Sequence, residues 1–242
     1  MRGESASASP SEPPTIRVRV WDLPTRMFHW LLVALVAFNV YSGNVGGMAN
    51  MDRHMLAGYT ILALVLFRLA WGIVGSRHSR FVNFIRGPVT AFTYLRDLWS
   101  GRHQPSIGHN PLGGWSVAAM LLSLLVQAAT GLFANDEILT KGPLAGSVSK
   151  ATSRLLTGVH EINATLLYVL IALHLAAVSY YVIVRRESLI RPMLTGIKRL
   201  PPALARVVDA RGVGTEERFA SPLLAAVLLL LAAGAVWLLV GR

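Results

Sequence analysis

Two histidines, His160 and His174, stand fourteen residues apart within one apolar stretch, and His29 and His54 lie at the ends of two others. Fourteen residues is close to four helical turns. At ~100° per residue the two side chains point within about 40° of each other, and they are separated along the axis by roughly 21 Å. One membrane helix can thus carry two imidazoles on one face, near opposite sides of a bilayer. Imidazole nitrogen is a haem-iron ligand, and this is the arrangement that two stacked haems need, each taking one more histidine from another helix.

Such chemistry requires helices that cross a membrane. The 242-residue chain is 53% hydrophobic and only 14% charged, less charged than soluble domains. Five apolar runs reach spanning length, at 27–45, 54–74, 111–133, 159–184 and 222–240. Runs of this length suit helices rather than barrel strands, and only helices or closed barrels satisfy the backbone in lipid. The predicted fold class is therefore all-α, an integral membrane helical bundle. The chain has no cysteine, which excludes c-type haem attachment, cysteine-ligated iron–sulfur clusters, thiolate metal sites and disulfides.

Charge sets the expected orientation. The net charge of +11 is unevenly placed. Arg17, Arg19 and Arg26 precede the first run, Arg77, Arg80, Arg86, Arg96 and Arg102 lie between the second and third, and eight cations from Arg185 to Arg218 lie between the fourth and fifth. The positive-inside rule puts these segments and the N-terminus in the cytoplasm and the C-terminus in the periplasm of a bacterial inner membrane. Topology and lipid contact explain the basic balance, and no nucleic-acid-binding module is visible. Residues 1–16 are read as a disordered cytoplasmic tail with no secretory signal, 201–221 as a cytoplasmic connector and 222–242 as the fifth span. Two stretches read as amphipathic helices on the inner leaflet: Val89, Phe92, Leu95 and Trp99 in one, and Leu189, Ile190, Met193, Leu194 and Ile197 in the other.

With that topology the histidines sort by depth. His54 and His160 fall on the periplasmic side, His29 and His174 on the cytoplasmic side, and none of the four is left over. Gly43 is fourteen residues from His29 and shares its face at the outer level, where a glycine admits a flat macrocycle. Arg68 is fourteen from His54 and shares its face at the inner level, where a haem propionate would pair it. Helix packing by Gly43 and snorkelling by Arg68 are the plainer alternatives. A zinc site would want three or four ligands in one small sphere. A proton relay would want intramembrane carboxylates, and the span interiors hold none. Of the other histidines, His103 reads as solvated and His78 as a headgroup or propionate contact. His109 is a competitor for the inner iron or, with Asn110, a donor to a quinone. Asn110 is equally placed to cap the third helix, with Pro111 in its first turn.

The segments carrying these residues resemble the prokaryotic cytochrome b561 family, including cytochrome b subunits of nickel–iron hydrogenases. They are Val20-Trp21-Asp22-Leu23-Pro24-Thr25-Arg26-Met27-Phe28-His29-Trp30, His54 with Ala57-Gly58-Tyr59, Phe67-Arg68-Leu69-Ala70-Trp71-Gly72, Gly75-Ser76-Arg77-His78-Ser79-Arg80-Phe81, His109-Asn110-Pro111-Leu112-Gly113-Gly114-Trp115, and His160-Glu161 with His174. The resemblance covers 17–199. It implies a four-helix core at 17–200 holding two b haems, with a fifth C-terminal transmembrane helix outside it. It implies axial ligation by His29, His54, His160 and His174, and the same segments bring Arg26 into the cofactor set.

The function expected is electron transfer between a periplasmic partner, either a cytochrome c or a hydrogenase- or dehydrogenase-type subunit, and the membrane quinone pool. Bis-histidine iron has no open position, which favours electron transfer over oxygen binding. The alternatives are a stand-alone haem oxidoreductase acting on quinone, superoxide or ferric iron, and a non-redox transporter or anchor. Membrane lipid is an expected contact, and association as a homodimer is left open.

Overall fold

The computed structural model describes residues 16–102, 106–138, 140–200 and 219–241. Asp22 caps the first helix, α1 (Leu23–Val45), by accepting from the Thr25 amide at 2.7 Å, with a proline in the first turn. Gly46 and Gly47, at φ +69° and +85°, then turn the chain directly into α2 (Met48–Val74), a conformation that side chains disfavour. A short 3-10 turn and α3 (Phe81–Phe84) lead to α4 (Pro88–Trp99) and α5 (Pro111–Gly131). α6 (Lys150–Ser179), capped by Ser149, continues through one π turn at Tyr180–Val184. α7 (Ile190–Thr195) follows, and α8 (Pro222–Val240) is the last described helix.

Among the described residues, five helices are long and apolar enough to cross a membrane: α1, α2, α5, α6 with its π turn, and α8. The chain is a multi-pass membrane protein with a helical bundle at its centre. The expected span at 222–240 coincides with α8. α6 starts at Lys150, nine residues before the apolar run at 159, because Ser149 caps it there. α2 sits in the middle, packed on α1, α5 and α8, while α6 packs chiefly on α5. Phe28, Leu64, Phe67, Trp71, Leu121, Ala225 and Ala232 form the layer joining α1, α2, α5 and α8.

Lipid competes with apolar contacts, so polar links weigh more in holding such helices together. The buried Asp22 carboxylate supplies one. Besides capping α1, it accepts from Trp71 Nε1 at 3.0 Å on α2 and from Ser79 Oγ at 2.9 Å. The Ser79 and Thr25 hydroxyls meet at 2.7 Å. Burial alone would raise the Asp22 pKa, but hydrogen bonds with Ser76, Thr25 and Ser79 outweigh it and hold the carboxyl below its usual range.

The all-α expectation needs one amendment. Ile16–Arg19 (β1) pairs antiparallel with Ile197–Leu200 (β2), Ile16 opposite Leu200. The second expected amphipathic helix is thereby cut short. α7 ends at Thr195 because Gly196 takes the left-handed conformation at φ +82°, and Ile197 and Lys198 belong to the strand. Val20 then donates to the Gly196 carbonyl at 2.8 Å. Ile16, expected in the tail, lies in β1. Residues 1–15, most of the connector (201–218) and His103 lie outside the described residues. The first amphipathic helix is present as α4, with Val89, Phe92 and Trp99 exposed. The Tyr94 hydroxyl joins it to Tyr181 in the π turn at 2.9 Å.

Candidate functional site

At one end of the bundle the His54 and His160 rings face each other from α2 and α6, their centroids 6.4 Å apart. Two imidazoles sharing one metal between them stand roughly 6 Å apart, given metal–nitrogen bonds of about 2 Å. Both rings are anchored from behind. His54 Nδ1 lies 3.2 Å from the Asn39 carbonyl and His160 Nδ1 lies 2.9 Å from the Gln127 carbonyl. A carbonyl only accepts, so each Nδ1 carries the proton and each Nε2 keeps its lone pair.

Glycines receive the rings from the neighbouring helices. A Cβ on Gly43 would come within 3.2 Å of the His54 ring, and one on Gly131 within 3.0 Å of the His160 ring. Gly43 therefore admits a ligand ring as well as lining the space beside it. That space is a cavity of about 470 Å³ with Asn39, Gly58, Leu124 and Tyr168 among its walls. Its charged lining residues are acids, Asp136 and Glu161.

Seven residues further along each helix the lining changes. Seven residues is two turns within about 20°, so one face of each helix repeats on this period. From His54 it leads to Ile61 and then Arg68, from His160 to Leu167 and then His174, and from Gly43 back to Val36 and then His29. The middle members Ile61 and Leu167 are buried together with Val65 and Leu124, and Val36 packs against them. An apolar layer thus separates the two ends, with histidines on both sides of it.

The second end is basic. Arg68 is only 3% exposed and lies over the Phe81 ring at 5.0 Å. His29 and His174 lie within electrostatic reach of each other, and His109 within reach of both and of Arg68 and His78. Burial first, and then this positive surround, press the His109 pKa down to about 3, so its imidazole is neutral. Trp21 meets the His109 ring edge-on at 4.7 Å and Phe84 packs on it at 4.5 Å. Arg26 donates to the Leu194 carbonyl and Trp30 Nε1 to that of Met193, fastening α7 to the start of α1. Asn110 caps α5 through Oδ1, which accepts from the Gly113 amide at 2.7 Å, so that oxygen is engaged in the helix start.

Buried polar atoms at this end fit a further acidic or polar group. Arg26 Nε, His29 Nδ1, Arg68 Nη1 and His109 Nδ1 are all enclosed without a hydrogen-bond partner. Unpaired buried groups are costly, and the two arginines among them are cationic donors that suit a carboxylate such as a haem propionate. Among the described residues, no cluster of three or more His, Asp or Glu could hold a metal ion by itself. The donor set does not suit zinc. Paired imidazoles, ring-sized cradles and buried cations fit haem.

The model of one family, prokaryotic cytochrome b561, matches residues 20–196, which include all four histidines. The chain belongs to the prokaryotic cytochrome b561 family. Among curated relatives, a probable Ni/Fe-hydrogenase B-type cytochrome subunit of Azotobacter chroococcum mcd 1 is 26% identical over 211 residues, 74% of this chain and 87% of the relative. One from Rhizobium leguminosarum bv. viciae is 24% identical over 220 residues, with the same coverage. A probable Ni/Fe-hydrogenase 1 B-type cytochrome subunit of Escherichia coli (strain K12) is 26% identical over 137 residues, 46% of this chain and 57% of the relative. No solved structure matches the b561 chain at a significant level.

Several site residues of this cytochrome were not apparent in its sequence. Gln127, Ser123 and Asn163 form a buried polar chain leading to His160. Gly131 mirrors Gly43 from α5, a helix that carries none of the four histidines. Gly131 lies twenty-nine residues before His160, and Gln127 thirty-three, so no local period connects either of them to it.

Proposed function

We propose that this protein is a di-haem b-type cytochrome that carries electrons across a bacterial inner membrane. In this reading α1, α2, α5 and α6 form the haem-binding core and α8 is a fifth helix bracing α2. His54 and His160 hold one haem, and His29 and His174 hold the other. When bound, haem with two histidine ligands supplies one-electron exchange without an open coordination position.

The chain's residues would divide the remaining work. The Asn39 and Gln127 carbonyls fix the tautomer and plane of the first pair. Arg68 and Arg26 offer cationic donors to propionates at the basic end. The layer of Ile61, Val65, Leu124 and Leu167 excludes water between the two sites. Positive-inside charge places the basic end in the cytoplasm, with α4 on the inner leaflet. Neutral His109, beside Trp21 and Phe84, is the candidate contact for a membrane quinone there. The acid-rimmed end then faces the periplasm. The names of its relatives support a redox-enzyme partner of hydrogenase type at that face, with cytochrome c as the other candidate.

The observation that carries this reading is the approach of the His54 and His160 rings to 6.4 Å beside a glycine-cradled cavity, each with its Nδ1 held by a backbone carbonyl. Absorption spectra of the purified protein before and after dithionite test it. Sharpened b-type α and β bands on reduction are expected. A chain purified from haem-replete membranes without such bands would exclude the reading.

A further inference from the structure

The anchored His160 has a second partner. Gln127 reaches it twice: its backbone carbonyl takes the Nδ1 proton at 2.9 Å, and its side-chain Nε2 lies 3.1 Å from His160 Nε2. The direction of that second bond follows from its neighbours. Asn163 Nδ2 donates to Gln127 Oε1 at 2.6 Å and to the Ser123 carbonyl at 2.9 Å, and Ser123 Oγ donates to Asn163 Oδ1 at 3.1 Å. The Gln127 oxygen is therefore an acceptor and its amide nitrogen faces the ring. With the proton on Nδ1, His160 Nε2 accepts.

Ser123 and Asn163 are buried, so the far end of the chain Ser123–Asn163–Gln127–His160 is shielded from water, while Gln127 and His160 are half-buried on the cavity wall. Among the described residues, none hydrogen-bonds His54 Nε2. Its neighbours Asn39 and Ser42 both approach Nδ1.

We propose that Gln127 is a positioning residue that competes with the haem iron for the His160 lone pair, and so sets how tightly this site takes its haem. This rests on the cofactor reading above. Loading exchanges an N–H···N hydrogen bond for an iron–nitrogen bond. Nδ1 keeps its proton and its carbonyl partner, so no proton leaves and the ring plane is retained. Asn163 holds the Gln127 amide in the competing orientation. The cost of breaking that bond is the difference between this site and one whose Nε2 is free.

The test is a protohaem titration of the full-length chain, produced in a haem-deficient host and held in detergent micelles. A His29→Ala background confines binding to the His54–His160 site, and the Soret band reports it. Gln127→Leu removes the donor while keeping bulk and the backbone carbonyl. Its dissociation constant is expected to fall about fivefold, the equivalent of one net hydrogen bond. Gln127→Glu keeps the acceptor for Asn163 but turns a second acceptor on Nε2. That stabilises the tautomer with the proton on Nε2, and binding is expected to weaken. Unchanged or weaker binding by a folded Gln127→Leu chain, with the parent binding normally, overturns this inference alone. A parent chain that takes up no haem overturns the cofactor reading and this inference with it.

Discussion

The two ends of the bundle place histidines at matching positions on shared helices yet surround them differently. At the His54–His160 end, each imidazole has its Nδ1 beside a backbone carbonyl, a glycine cradles each ring, and the charged lining residues are acids. At the His29–His174 end, His29 Nδ1 has no partner among the described residues, the Arg68 guanidinium is buried, and half-buried Arg26 has its Nε enclosed. Aromatic rings and short helices close that end around them. One end is thus organised by the backbone and the other by charge. The first is preorganised for a ligand ring. The second holds donors whose cost is relieved only by an anionic or polar group. A fold that repeats its helix faces every seven residues can still give its two sites different chemistry, because backbone carbonyls, loops and buried cations do not follow that repeat.

Breaking the polar link at the basic end is expected to have the largest effect on stability. Asp22→Ala removes the acceptor for Thr25, Trp71 and Ser79 at once, and a loss of about 3 kcal/mol or more is expected for hydrogen bonds to a buried charge. Thermal denaturation in detergent measures it, and His54–His160 haem content should survive better than that of the other pair. An unchanged melting temperature would deny Asp22 its place in holding this end.

Arg68→Met tests the charge contrast with a smaller perturbation. Losing a buried cation favours the oxidised form, so one of the two haem midpoint potentials is expected to fall. The expected size is on the order of 60 mV, the equivalent of a tenfold change for one electron. Potentiometric titration of both sites reads it, with the more distant haem unmoved. Equal shifts at both haems, or none, would remove Arg68 as the source of the difference.

Gly131→Ala acts at the other end and should be smaller still. The added Cβ would meet the His160 ring at 3.0 Å, so the ring must tilt by a few tenths of an ångström. Altered electron paramagnetic resonance g-values at one haem, with haem content retained, are expected. Gly158→Ala, whose Cβ would meet nothing within 4 Å on the same helix as His160, is the control.

Acid separates the ends most gently. His109 is held neutral, its pKa lowered from 6.5 to about 3. A histidine with a depressed folded pKa contributes stability above its unfolded value that is lost as pH falls through about 6.5 toward 3. Asp22, also depressed, keeps its contribution above its ordinary value of 3.8 and loses it only as pH falls through its lower folded value. Melting temperature followed from pH 7 to 4 should decline, and less steeply in His109→Gln.

Much of this plan was legible along the chain because it is periodic. The five apolar runs and the fourteen-residue spacing follow from helix geometry, and the depth pairing from charge placement added to it. The amphipathic face of α4 was visible for the same reason. What stayed hidden depends on contacts between distant segments. Gly131 and Gln127 reach His160 from another helix, and Asp22 meets Trp71 across forty-nine residues. β1 and β2 pair 178 to 184 residues apart, and Lys198, one of the cations between the fourth and fifth apolar runs, is buried beside Glu187 with its ammonium on the Ser106 carbonyl at 2.6 Å. Gly196 and the strand pairing overrode the helical period at Ile197.

On the proposed function, the four histidines act as two pairs, one at each end. Haem per chain, measured as the pyridine haemochrome in the parent and in single His29→Ala, His54→Ala, His160→Ala and His174→Ala variants, tests it most directly. Two haems in the parent and one in each variant are expected, with His54→Ala and His160→Ala sharing one residual spectrum and His29→Ala and His174→Ala sharing another. A parent that holds no haem, or variants whose residual spectra pair differently, would contradict it.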